Sequence, residues 1–151
     1  LLIKLTGLFL SLIISTSAFG RTEVKLSEID CLAGAIYLEA RGESLKGQLA
    51  VAGVIKNRKV TKIKPICKVL TEPKQFSNFS IKAVRVMKAQ NSDSWQDAVQ
   101  MAKLAMSTKT DPSKGSTFFQ LRKIPHQSKK YVVVAHIGNH KFMREKHPSW
   151  Q

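Results

Sequence analysis

Residues 26–40, LSEIDCLAGAIYLEA, contain no lysine or arginine, in a chain that carries 25 of them against 10 acidic residues. Ile29, Leu32, Ala33, Ile36 and Ala40 recur at helical spacing, and Cys31 and Leu38 fall on the opposite side. A helix that is apolar on nearly every side is stable only when other elements enclose it. The segment therefore calls for a domain built around it. Ser27 and Asp30 offer a capping box at its start, and Gly42 is expected to end it.

The remaining pattern supplies the enclosure. A second helix is expected over about Ser44 to Lys59, with Leu45, Leu49, Ala52 and Ile55 as its stripe. Residues 62–80, KIKPICKVLTEPKQFSNFS, read as an irregular connection because of their two prolines and Ser/Asn-rich tip. A short helix follows over Ile81 to Ala89. Another starts at Ser94, capped through Asp97, with Trp95, Ala98, Val99, Ala102 and Ala105 facing inward, and stops before the turn signal DPSKG at 111–115. The last third changes period. STFFQL, YVVVAHI and HKFMRE have strand composition, and Gly138-Asn139 between the last two suits a II′ hairpin turn. Helices first and a small antiparallel sheet last make an α+β fold. Residues 21–151 suit one domain.

Residues 1–20, LLIKLTGLFLSLIISTSAFG, place one lysine before an apolar run that closes on small residues. This is the pattern of a secretory signal peptide; an uncleaved anchor and a buried helix are the alternatives. Secretion gives the net charge of +15 a direction. The polyanion it attracts is then envelope material, and nucleic acid is not expected as the main partner. In an oxidising compartment two cysteines suit one disulfide, Cys31 to Cys67, tying the first helix to the loop after the second. Two separate buried thiols are the alternative.

The apolar helix ends in EARGE, residues 39–43. A glutamate at a helix C-terminus meets the negative end of the dipole, and burial also raises a carboxyl pKa. A carboxyl held protonated near neutral pH is what general-acid cleavage of a glycosidic bond needs. Arg41 opposes this, because a nearby cation lowers the pKa. From the residues alone Glu39 is either that proton donor or an ordinary ion-pair partner of Arg41 or Lys46. Glu43 is either a second catalytic carboxylate or a cap for the next helix.

Residues 31–58, CLAGAIYLEARGESLKGQLAVAGVIKNR, resemble the signature of the SleB-type cell wall hydrolases, the spore cortex-lytic enzyme family. The match runs through Tyr37, the EARGE block, Gly47-Gln48, Ala50 to Ala52 and Asn57-Arg58. QFS at 75–77, DPSKG with Phe118 or Phe119 after it, and IGNHKF at 137–142 resemble three further blocks in the same order. Asn78, Ser116 and Met143 depart from it, standing where an aromatic, an alanine and a tyrosine are usual. The resemblance spans about residues 28–144. It implies a lysozyme-like α+β domain that cuts the glycan backbone of peptidoglycan as a muramidase or lytic transglycosylase. Glu39 is its implied catalytic acid, and one carboxyl can serve as acid and then base. No cofactor is implied.

Tyr37, Gln75, Phe76 and Ser77 are then candidates to line the sugar cleft, with Phe76 also suited to the core. Arg41, Glu43 and His140 are candidate supports, and Asn57 and Arg58 candidate braces. The basic surface is expected to stand in for a separate wall-binding module, and the enzyme to act as a monomer. Two rivals have a basis in the residues. All four histidines, His126, His136, His140 and His147, lie near the C-terminus, which allows a zinc amidase cutting the stem peptide, although the HExxH spacing is missing. The charge alone allows a non-enzymatic wall-binding protein.

Overall fold

In the computed structural model, which describes residues 25–146, the capping box forms as expected. Asp30 N donates to Ser27 Oγ at 3.1 Å and Ser27 N donates to Asp30 Oδ2 at 2.9 Å. It opens helix α1, Glu28–Ala40. Cys31, Leu32, Ala33, Ala35 and Ile36 are fully buried. Burial of Leu32 and Ile36 stabilises the fold by roughly 1.5–3 kcal/mol each. The enclosure comes from α2 (Leu45–Lys62), α3 (Ile66–Leu70), α4 (Ile81–Gln90) and α5 (Asp93–Ser107), all of which pack on α1. The expected leader at residues 1–20, and His147, lie outside the described residues.

Several boundaries differ from the sequence reading. Helix α1 does not end on a left-handed Gly42. Arg41 caps it in right-handed helical conformation, and Glu43 N closes a turn on Ala40 O at 2.9 Å. Leu45, the expected start of the α2 stripe, is 68% exposed, because the first turn of α2 projects beyond the core. The buried run begins at Ala50. The connection at 62–80 contains α3, five residues too short to show a period. Its start has no side-chain cap of its own; Glu28 supplies one, accepting from Ile66 N at 3.0 Å while pairing with Lys59. Helix α5 is capped by Ser92, which accepts from Trp95 N at 3.3 Å, and not through Ser94 and Asp97.

The three strands are β1 (Phe118–Leu121), β2 (Tyr131–Ile137) and β3 (His140–Glu145), in the order β1-β3-β2 and antiparallel throughout. The last strand is central, which is why its first four residues are buried. Gly138 has φ +55° and Asn139 does not have positive φ, the pattern of the expected II′ turn. A bulge at Val134 re-aims the middle of β2.

A disulfide joins Cys31 on α1 to Cys67 on α3, 36 residues apart. It fastens the shortest of the described helices to the buried centre. Replacing both cysteines by serine is expected to cost about 2–4 kcal/mol, chiefly by freeing the unfolded chain. The shift of the urea midpoint between native and double-serine proteins measures it.

Candidate active site

The end of α1, residues 74–77, β1 and the β2–β3 turn enclose a cleft of about 900 Å³. Glu39 lies in its wall, half-buried. Among the described residues Glu39 makes no hydrogen bond and no ion pair. Burial alone acts on its carboxyl and pushes the pKa up. The ion pair with Arg41 or Lys46 does not form. Arg41 turns its guanidinium over the Tyr37 ring instead, 5.1 Å from the centroid.

Tyr37 is not in this cleft. It lines a separate small pocket with Gln48, Ser94 and Asp97, against α5. The reason is helical geometry: two residues advance roughly 200°, so Tyr37 and Glu39 face opposite ways. Arg41 borders both spaces. Gln75, Phe76 and Ser77 do line the cleft, with Phe76 only 6% exposed and therefore both core and wall. Asn78 is exposed and outside the lining.

Glu43 has a definite structural task. Both its oxygens accept from Asn139 N, at 3.3 and 3.2 Å, so it caps the β2–β3 turn across the cleft. Ser44, not Glu43, caps α2, accepting from Gly47 N at 3.3 Å. A Cβ on Gly138 would lie 1.8 Å from Glu43 Oε2. Glycine is thus required there twice, for its positive φ and for the carboxylate's approach. His140 Nδ1 is 3.4 Å from Glu43 Oε1, close enough for attraction but not aligned as a hydrogen bond, so the nitrogen is left unpartnered. Burial lowers the imidazole pKa, with Glu43 opposing. The ring is held by aromatic contact, edge-on to Phe119 at 5.3 Å.

Asn57 and Arg58 brace the cleft from α2. Asn57 Nδ2 donates to Asp111 Oδ2 and to Ser116 O, both at 3.0 Å. Asp111 also accepts from Gly115 N at 2.8 Å and from Ser113 N at 2.9 Å. Burial raises the Asp111 pKa, but these donors outweigh it and hold the carboxyl below its usual range. The loop 111–115 can seat so close because Gly53 has no Cβ, which would lie 2.3 Å from Asp111 Oδ1. Ser116 donates its hydroxyl to Ser113 O at 2.6 Å, so its departure from alanine is accommodated. Met143 is accommodated too, fully buried in the sheet core.

Arg58 is 4% exposed and lies over Phe76 and Phe118, 4.9 and 5.7 Å from their centroids, while its Nε donates to Thr117 O. Lys74, Arg122 and Lys123 on the cleft rim were not singled out from the sequence. Their only signal was their place in runs of charge. Among the described residues no three His, Cys, Asp or Glu side chains converge as metal ligands. His126 instead contacts Tyr131 O through Nε2.

Residues 42–143 match the family model described as Cell Wall Hydrolase. The chain is similar to the crystal structure of the catalytic domain of the Bacillus cereus SleB protein, at 28% identity and a TM-score of 0.54, over 83% of this chain and 99% of that one. It is also similar to the catalytic domain of the germination-specific lytic transglycosylase SleB from Bacillus anthracis, at 27% identity and a TM-score of 0.55, over 81% of this chain and 99% of that one. No curated protein matches.

Two outcomes follow from this geometry. Between the ordinary carboxyl pKa and the raised one of Glu39, the folded chain keeps a proton that the unfolded chain has released. Stability therefore falls as pH rises through that window. Glu39→Gln is expected to resist urea better than the native protein at pH 7 and equally at pH 3. Gly138→Ala is expected to displace Glu43 and the turn, lowering turnover about tenfold or more with helix content by circular dichroism unchanged.

Proposed function

The chain belongs to the cell wall hydrolase family, and from that premise we propose that it cleaves the glycan backbone of peptidoglycan with Glu39 as the acid. The observation that carries the assignment is a half-buried carboxyl in a cleft wall, with raised pKa and no cation paired to it. The family match begins three residues beyond Glu39, so the role given to this residue rests on that geometry and on the EARGE resemblance.

The protonated Glu39 donates to the glycosidic oxygen as the bond to the anomeric carbon breaks. The C6 hydroxyl of the muramic residue then attacks that carbon, and the Glu39 carboxylate takes the hydroxyl proton. The products are a 1,6-anhydro end and a free 4-hydroxyl, and the enzyme recovers its proton. One carboxyl does both transfers. Glu43 supports this economy, since its oxygens are engaged by the turn and not free to activate water. Gln75, Ser77 and Phe76 orient the strand, and His140 holds the turn side of the cleft.

The protein acts outside the cytoplasm as a monomer. The Cys31–Cys67 disulfide supports an oxidising compartment, as does the leader pattern. No helix among the described residues is long and apolar enough to cross a membrane. The charge of +15 draws the enzyme to anionic wall polymers.

Mass spectrometry of products from purified peptidoglycan tests the reading. Anhydro-muramyl ends are expected, with Glu39→Gln slowing their release by about 10²–10⁴-fold. The alkaline limb of the native rate profile should lie above the ordinary carboxyl range. Reducing muramic ends would mean hydrolysis, freed stem peptides an amidase, and no product a binding protein. Undiminished cleavage by Glu39→Gln would remove Glu39 from the mechanism.

A further inference from the structure

The cleft does not end at Arg58. A second hollow of about 440 Å³ opens on the far side of this residue, sharing Arg58, Gln75 and Phe118 with the first. Its other walls include Lys62, Tyr131 and Arg144. Phe118 and Tyr131 stack at 5.4 Å and 22°, forming a flat platform.

Arg58 is the unusual member. It is 96% withdrawn from solvent, its Nη1 is buried without a hydrogen-bond partner, and no carboxylate among the described residues pairs with it. A buried guanidinium normally meets an acid, because leaving charge and donors unmatched is costly. Stacking on Phe76 and Phe118 offsets part of that cost. The nearby acids are engaged elsewhere: Glu72 attracts Arg58 through space but pairs with Lys62 and Lys64, and Glu145, in the wall of the hollow, is 3.0 Å from Lys130. A planar fork with a spare donor, beside Arg144, is suited to a carboxylate. A neutral sugar would leave that charge unmatched.

We propose that this second hollow holds the acidic peptide arm of the substrate, with Arg58 and Arg144 receiving its carboxylates and the Phe118–Tyr131 platform its aliphatic part. The inference rests on the peptidoglycan reading. Each muramic residue can bear a short carboxylate-rich peptide on its lactyl ether, so a strand in the first cleft projects such an arm to the side. The shared wall of Arg58, Gln75 and Phe118 is where that arm would cross. The assignment makes Arg58 a specificity residue as well as a brace.

Isothermal titration of the full chain with L-alanyl-γ-D-glutamyl-meso-diaminopimelate, and with the same peptide amidated at its carboxylates, tests this. The free acid is expected to bind. Affinity should fall about tenfold or more on amidation, and likewise in Arg144→Gln and in Arg58→Lys. Arg144 is exposed near the end of β3, so its replacement tests the hollow even if Arg58→Lys fails to fold. Equal binding of the amidated peptide, undiminished binding by folded variants, or no binding of the free acid would overturn the proposal. Cleavage is not read in this titration, so its failure is distinct from failure of the Glu39 assignment, which the product analysis reports.

Discussion

The fold depends on burying one helix on all sides. Helix α1 has no polar face to offer water along Cys31 to Ile36, so each of the other four helices is recruited as a wall. This determines where chemistry can occur. Only the ends of such a helix reach the surface, and the C-terminal end carries Glu39. The acid is thereby fixed on a rigid element, half withdrawn from water, without needing a neighbouring charge to perturb it. The sheet then arrives from the C-terminal third of the chain to complete the opposite wall.

Two carboxylates outside the catalytic role hold the walls together. Asp111 gathers Asn57, Ser113 and Gly115 and pins the loop before β1 to α2. Glu43 reaches the turn between β2 and β3. Each seats against a glycine on the opposing element, Gly53 and Gly138. Two of the ten acids of this basic chain thus join helix to the sheet side, while Glu28, Asp30, Glu72 and Glu145 pair with lysines.

Much of this was legible in the residues. The Ser27–Asp30 box, the buried α1, the Gly138–Asn139 hairpin and the three strands follow from local rules. The EARGE block and the resemblance picked out Glu39, Glu43, Gln75, Phe76, Ser77 and His140, which the folded chain brings to one cleft. Tyr37 misled because being near Glu39 in sequence is not being on its face; helical phase alone would have separated them. Helix α3 was hidden because its cap comes from Glu28, 38 residues away. Arg58 read as a brace, and its second exposure was invisible, since only tertiary packing puts Phe118 and Tyr131 beside it.

The meeting of Glu43 with Gly138 has an evolutionary side. The EARGE block and the hairpin lie 96 residues apart, yet one oxygen occupies the space any side chain at 138 would need. A side chain at 138 requires the Glu43 carboxylate to move. A lineage that gains a side chain in the turn must move or shorten the acid at 43, whereas one that shortens the acid still meets the positive φ at 138, which favours glycine. The two segments are thereby coupled in inheritance, since what the turn can carry depends on where the acid at 43 lies.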